Sequence, residues 1–348
     1  MALRWSAGGL QAGWGMLGAM RAWVVEGTGA PGEVLRLIDK PVPDLREGTF
    51  LMEVGAVGVG LPDVFMCKGT YPLAPKEGSF TSGQEVCGTV VQASDGVGLE
   101  PGQRVMTVTS FQTGDGGFAE QCLGLGHSWF TVPDSMDDAT AAGFLIPYHT
   151  AWIGLVRRGG LKAAETLLVL GAAGGTGAAA CSLGAALGAR VIGVAGGPER
   201  CATAASFGAH QTVDHREGDI ASAVMELTDG RGVDVVYDPV GGDAYTAATR
   251  CVARDARIVL IGFASGEWAP VNVRHVVQRN YSVVGAIPAR YSREERLADH
   301  HELSALWDAG SISSVVSAAY PLEELPEAMS ALESRQVIGR VVLDLSSG

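Results

Sequence analysis

Residues 167–177, LLVLGAAGGTG, limit what this chain can fold into more than any other stretch. A short apolar run reads as a buried strand and leads straight into small residues and glycines. The register Ala172-x-Gly174-x-x-Gly177 fits G-x-G-x-x-G with alanine at the first position. Small residues 178–189 follow, AAACSLGAALGA, suited to a helix lying close against a sheet. Residues 190–196, RVIGVAG, read as a second strand. Such a strand–helix–strand unit of about 30 residues is the context in which the glycine pattern signals dinucleotide binding. Glycines let backbone N–H groups approach a pyrophosphate at a helix N-terminus, where the partial positive charge favours an anion. The competing reading is a plain glycine-rich turn.

The rest of the chain divides into zones around this unit. Residues 1–19 carry one charge, Arg4, and an apolar stretch broken by glycines, which suits a disordered leader rather than a signal peptide. Residues 20–142 hold strand-like pieces separated by Gly, Pro and Asp, as in a compact β domain. From 143 to 287 strands and helices alternate, giving six candidate strands of a parallel doubly wound sheet. Residues 288–348 contain GRVVLDL (339–345), which resembles the first zone, so the chain is expected to return there. The 348 residues suffice for two cores. A net charge of -13 disfavours nucleic acid and anionic membranes as partners. No apolar run looks long enough to span a bilayer. The six cysteines form no CxxC pair, which suits buried thiols in a reducing, cytoplasmic setting.

Several stretches together carry a family resemblance: APGEVLRL (30–37), GTYP (69–72), GGFAE (116–120), AAGFLIPYHTAW (141–152), the glycine turn, FGAHQTVDHREGD (207–219), DVVYDPVGG (234–242) and LIGFASG (260–266). With the zone order, the chain resembles the medium-chain dehydrogenase/reductase superfamily, and within it the zinc-independent NADPH:quinone oxidoreductases. The resemblance covers 20–348. It implies an α/β architecture, a GroES-like catalytic β domain (20–142 and 288–348) plus a Rossmann doubly wound parallel sheet (143–287), and commonly a homodimer.

Zinc-dependent members of the superfamily carry a Cys in the segment that here reads GVGLPD (58–63), and a His where Gln84 stands in Gly83-Gln84-Glu85. Zinc prefers thiolate and imidazole, and an amide is a poor substitute. Asp63 and Glu85 remain, more as structural polar contacts than as ligands. The expected reaction therefore uses no metal.

An NAD enzyme would carry an acid after the second strand for the ribose 2′-hydroxyl. This chain has Ala195-Gly196-Gly197. Arg200 follows within a helical turn and can clamp a 2′-phosphate, and Arg216 lies after the third strand. Singly, either arginine could equally be a solvated surface group. His215 stands where the resembled family usually has Tyr. The balance favours NADPH, held by Ala172, Gly174, Gly175, Thr176, Gly177, Gly196, Arg200 and His215. By resemblance Thr150 lies at the nicotinamide end and Asn280 near the cofactor amide, while Phe263 and Ser265 follow the fifth strand at the carboxyl edge.

Quinones and α,β-unsaturated carbonyls accept hydride without a metal, because conjugation carries the charge to oxygen. Tyr71 resembles a tyrosine that metal-free enoyl reductases place near the nicotinamide, and is the proton-donor candidate; the alternative is a half-buried loop tyrosine. Asp63 and Tyr148 are weaker candidates. Gly60 replaces an Asn frequent in the quinone reductase branch. Three readings stay open: a quinone or enone reductase, an enoyl thioester reductase, and a non-catalytic NADPH-binding protein like the lens-crystallin and synaptic-vesicle relatives of the superfamily.

Overall fold

The computed structural model describes residues 18–346; the leader expected at 1–19 lies almost wholly outside them. β1 (Ala19–Val25) pairs antiparallel with β2 (Leu35–Pro41). β3 (Thr49–Val59), β4 (Glu85–Ala93), β5 (Arg104–Thr109) and β6 (Gln121–Thr131) follow as an antiparallel series, and β6 returns to pair with β3. Six parallel strands come next: β7 (Thr166–Leu170), β8 (Arg190–Ala195), β9 (Gln211–Asp214), β10 (Val233–Asp238), β11 (Val252–Leu260) and β12 (Ser282–Gly285). Their spatial order is β12-β11-β10-β7-β8-β9. Chain order reverses between β7 and β10, which opens a crevice at the carboxyl ends of those two strands. β13 (Val316–Tyr320) and β14 (Arg340–Asp344) then join the first sheet, β14 lying antiparallel to β3.

Sequence periodicity explains these choices. Every residue of β7 is buried, as expected of a central parallel strand covered on both faces. The helix Gly175–Ala186 can lie unusually close to it because its inward face is Gly and Ala. A Cβ on Gly184 would stand 3.2 Å from Val191 Cγ2 and closer still to Leu167. Asp219 and Ser292 cap the helices Ile220–Leu227 and Arg293–Asp308 through their side chains.

One helix corrects one expectation and crosses a zone boundary. Asp138–Trp152, capped by Asp137 through Thr140 N (2.7 Å), runs on as a π-helical turn Ile153–Arg158. Residues 138–158 are long and apolar enough by composition to cross a membrane, contrary to the expectation that no such run exists. Here 78% of its most apolar 18-residue window is buried inside the protein: its residues join the same core as the inner faces of both sheets. The zone boundary drawn at 142/143 also falls inside this unbroken helix, because one rod bridges the two sheets.

Candidate functional site

The glycine turn follows β7 at the crevice. Gly171 takes φ +61°, a left-handed conformation that suits glycine, and its carbonyl accepts Gly174 N at 3.0 Å. A Cβ on Gly177 would stand 2.8 Å from the Gly171 carbonyl carbon and 3.0 Å from Ala172 Cα, so this position admits no side chain without moving the helix. A Cβ on Gly174 would meet nothing nearer than the Gly171 oxygen at 3.5 Å. Gly174 is the N-cap of Gly175–Ala186, and among the described residues no side chain caps that end. The first-turn amides of a twelve-residue helix, including Thr176, thus open onto the crevice with their donors available for an anion.

Ala172 departs from the expected role. Its N–H donates to Val194 O on β8 at 2.9 Å and its side chain is fully buried. The sharp turn belongs to Gly171, so the working register is Gly171-x-x-Gly174-x-x-Gly177. Sequence reading missed Gly171 although it stands in the same run of small residues.

A second turn, Gly196–Gly197, follows β8. Gly197 has φ +93° and donates its N–H to Asp214 Oδ1 at 2.9 Å, which also accepts Arg216 N at 2.9 Å. Those backbone N–H groups, Gly197 first, hold the Asp214 carboxyl below its ordinary value. Around this turn stand His215, whose Nε2 would lie 2.7 Å from a Cβ on Gly196, and Arg216, whose guanidinium would lie 3.2 Å from a Cβ on either glycine. Arg200 is half-buried in the first turn of Pro198–Ser206. Among the described residues neither Arg200 nor Arg216 enters an ion pair. The fold therefore brings one imidazole and one guanidinium to this turn directly, with Arg200 opening the adjoining helix.

Phe263 and Ser265 sit in the turn after β11, at the carboxyl edge. That turn is laced to the one after β10 by Ala264 N to Pro239 O (3.0 Å) and Ser265 N to Val240 O (2.9 Å). Thr150 is half-buried and shares a stripe of its helix with Ile146 four residues earlier. Asn280 is placed elsewhere. It ends the helix Val273–Arg279 with φ +53°, accepts Asp255 N at 2.7 Å and bonds the Asp255 carboxylate through its amide. It precedes β12, so it lies at the amino edge, the far side of the sheet from the glycine turn. Asn tolerates the left-handed backbone there, and the cap accounts for it.

The floor facing the glycine turn comes from the first sheet. Glu85 is fully buried; its Oε2 accepts Ile146 N at 2.6 Å and its Oε1 pairs with Arg340. Arg340 begins β14, and Gly339 before it donates to Ala173 O at 2.7 Å, so the returning tail rests on the glycine turn. A Cβ on Gly175 would stand 3.1 Å from Arg340 Cδ, one on Gly60 2.9 Å from its Nη1, and one on Gly58 2.7 Å from its Nη2. The guanidinium occupies the space that a side chain at Gly60 would need, which gives the missing Asn a physical reason. Sequence reading passed over Arg340, since nothing local links residue 340 to residues 60 and 175.

Asp63 ties this floor together, accepting Gly60 N at 2.9 Å and Gly83 N at 3.1 Å. Burial pushes its pKa up to about 7, against the pull of those N–H groups and of Arg340. Tyr71 is half-buried, its ring 6.5 Å from Phe111. Burial raises its pKa, the Gln84 side chain opposes the rise, and Asp63 adds to it. Tyr148 instead donates to Ser313 O at 2.6 Å inside the core. Among the described residues no three His, Cys, Asp or Glu side chains cluster as metal ligands would.

Residues 46–145 match the family described as alcohol dehydrogenase GroES-like domain, and 175–305 match the family described as zinc-binding dehydrogenase. The chain is 32% identical to a quinone oxidoreductase-like protein 2 homolog of Nematostella vectensis, over 84% of this chain and 80% of the relative. It is 30% identical to the quinone oxidoreductase of Homo sapiens, over 89% of this chain and 92% of the relative. Among solved structures, a mycobacterial protein complexed with NADPH superposes with TM-score 0.86 at 31% identity, covering 93% of this chain and 100% of the other. Escherichia coli quinone oxidoreductase complexed with NADPH superposes with TM-score 0.85 at 29% identity, covering 93% and 99%.

Proposed function

Because this chain belongs to the quinone oxidoreductase family of the medium-chain dehydrogenase/reductase superfamily, with a GroES-like β domain and a Rossmann sheet, we propose that it is an NADPH-dependent reductase of quinones or α,β-unsaturated carbonyls that works without zinc. The observation that carries this reading is the pair of glycine turns at one sheet edge. The first offers uncapped helix amides beside open space at Gly174, which suits a pyrophosphate lying against the backbone. The second has Gly196 and Gly197 in place of a ribose-binding acid, with His215, Arg216 and Arg200 around it for a 2′-phosphate. NADPH, when bound, supplies a hydride.

The chain's own groups orient the reactants and supply the proton. The first-turn backbone N–H groups of 175–177 would hold the phosphates, Thr150 would flank the nicotinamide end, and Phe263 and Ser265 would close the carboxyl edge. Once an enone has accepted a hydride, its enolate needs a proton at carbon, and the Tyr71 hydroxyl is the donor we assign. A quinone yields an aromatic hydroquinone anion that water can protonate. Asp63 and Gln84 hold the loop beneath Tyr71 rather than a metal.

We also infer a reducing, cytoplasmic setting, supported by six free cysteines, and a homodimer formed along β12. Among the described residues that strand pairs on one side only, and Val273, Val277 and Ile287 are exposed beside it. Titrating NADPH and NADH into wild type, Arg200→Ala and Arg216→Ala tests the cofactor assignment. NADPH is expected to bind tighter than NADH, and losing one charged partner should weaken it by roughly 10- to 150-fold. Equal affinities in wild type refute it. NADPH oxidation with a panel of quinones and enones, in the presence of a chelator, tests the acceptor class.

A further inference from the structure

Three aromatic rings cross from one sheet's side of the molecule to the other. Phe65 projects from the helix Leu61–Cys67 beside the first sheet, and Phe263 from the turn after β11 in the parallel sheet. Their centroids are 5.4 Å apart and the rings lie within 13° of parallel. Trp268 continues the series, 4.8 Å from Phe263 with 35° between planes. At these spacings the rings are offset, each overlapping part of the next and leaving part of its face uncovered. Phe65 and Phe263 are half-buried and Trp268 is 58% exposed, so the ladder presents a stepped apolar surface.

Both ends of the ladder are held by backbone. Phe65 O accepts Thr70 N at 2.9 Å and Tyr71 N at 3.3 Å, which ties the first ring to the residue assigned as proton donor. Phe263 O accepts Gly266 N at 2.7 Å within a turn already laced to Pro239 and Val240. A Cβ on Gly241 would stand 2.6 Å from Glu267 O, so that turn cannot shift toward β10. The surface is therefore preformed.

We propose that Phe65, Phe263 and Trp268 select the acceptor: a planar fused-ring quinone stacks on this ladder, while a small acyclic enone gains nothing from it. This rests on the reductase reading for its consequence in turnover, but not for binding. A flat ring adding to an offset stack gains the same face-to-face contact the three side chains make with each other, and an acyclic acceptor has no face to offer.

The probe is 2-naphthol, a two-ring compound that cannot accept hydride, titrated into NADP-loaded protein by calorimetry. Trp268→Ala, an exposed position that leaves the core intact, and the apolar replacement Phe65→Leu should each weaken 2-naphthol binding about three- to tenfold. NADPH affinity should stay within twofold. In steady state, kcat/KM for 1,4-naphthoquinone should fall by the same factor and that for 3-buten-2-one by less than twofold. Unchanged 2-naphthol binding in both variants overturns the proposal, as does an equal loss for both acceptors. If wild type oxidises NADPH with neither acceptor, the reductase reading fails, and the naphthol titration still decides the ladder.

Discussion

Replacing Glu85 by Gln removes one charge from the floor beneath the glycine turn and almost no volume. In the wild type, burial raises the Glu85 pKa while Arg340 and the Ile146 N–H lower it, so the pair is held together by its own charges. The Gln carbonyl can keep the Ile146 N–H, but its NH₂ group then faces the N–H donors of Arg340. Only 14% of the Arg340 side chain is exposed, and its Nε has no partner among the described residues. The guanidinium loses its ion-pair partner and keeps only the Coulombic pull of Asp63, and breaking a buried pair in this way costs about 3–5 kcal/mol. The slight exposure of Arg340 favours the lower end, about 3 kcal/mol. At roughly 1–2 °C per kcal/mol for a chain of 348 residues, the melting temperature should drop by about 3–6 °C. Thermal melts and urea denaturation of Glu85→Gln, Arg340→Met and the double variant read this out. The double variant should be more stable than Glu85→Gln alone, because it buries no orphaned charge. A Glu85→Gln protein melting within 2 °C of wild type, or a double variant as unstable as the summed singles, refutes the reasoning.

Gly177→Ala should weaken NADPH binding at least about tenfold and cost about 1–3 kcal/mol of stability, since its Cβ would press on the Gly171 carbonyl; calorimetric titration giving a wild-type affinity would show the turn has slack. Tyr71→Phe should slow enone reduction by about 10²–10⁴-fold in single turnover and quinone reduction far less; unchanged rates for both would make Tyr71 a packing residue. His149 Nε2 meets His300 Nδ1 at 3.0 Å, and His300 Nε2 bonds Thr131 O at 2.8 Å, so the carbonyl requires a proton on His300 Nε2 and His149 is the donor between the rings. Burial, His300 and Arg296 hold the His149 pKa well below 6.5, so the unfolded chain takes up a proton that the folded one refuses. Stability should therefore fall as pH drops below about 6.5, and the gap between wild type and His149→Phe should narrow from pH 8 to pH 5; a constant gap in urea denaturation at the two pH values would contradict this.

Local signals carried much of the architecture. The apolar run before Gly171, the stop at Gly208 with φ +102° and the caps at Asp219 and Ser292 each act over a few residues, so their geometry is written in adjacent positions. The reading went astray where a residue's neighbour is distant. Asn280 looks like a cofactor contact by position but serves as a left-handed cap, because its partner Asp255 lies 25 residues earlier. The helix from Asp138 was hidden because its surroundings are two sheets, so it shows no polar face by which an amphipathic period could be recognised.

By itself, the sequence determined that β7 must be buried, that a glycine-rich turn through Gly174 and Gly177 follows it, and that no acid directly follows β8. These follow from hydrophobicity, glycine's conformational freedom and plain residue identity. Only the tertiary structure decided that Arg340 fills the space beside Gly60, that Phe65 stacks on Phe263, and that Asn280 faces away from the crevice. Each of those depends on strands far apart in the chain meeting in one register. Such meetings are set by packing two sheets around a shared helix, and no stretch of neighbouring residues encodes them alone.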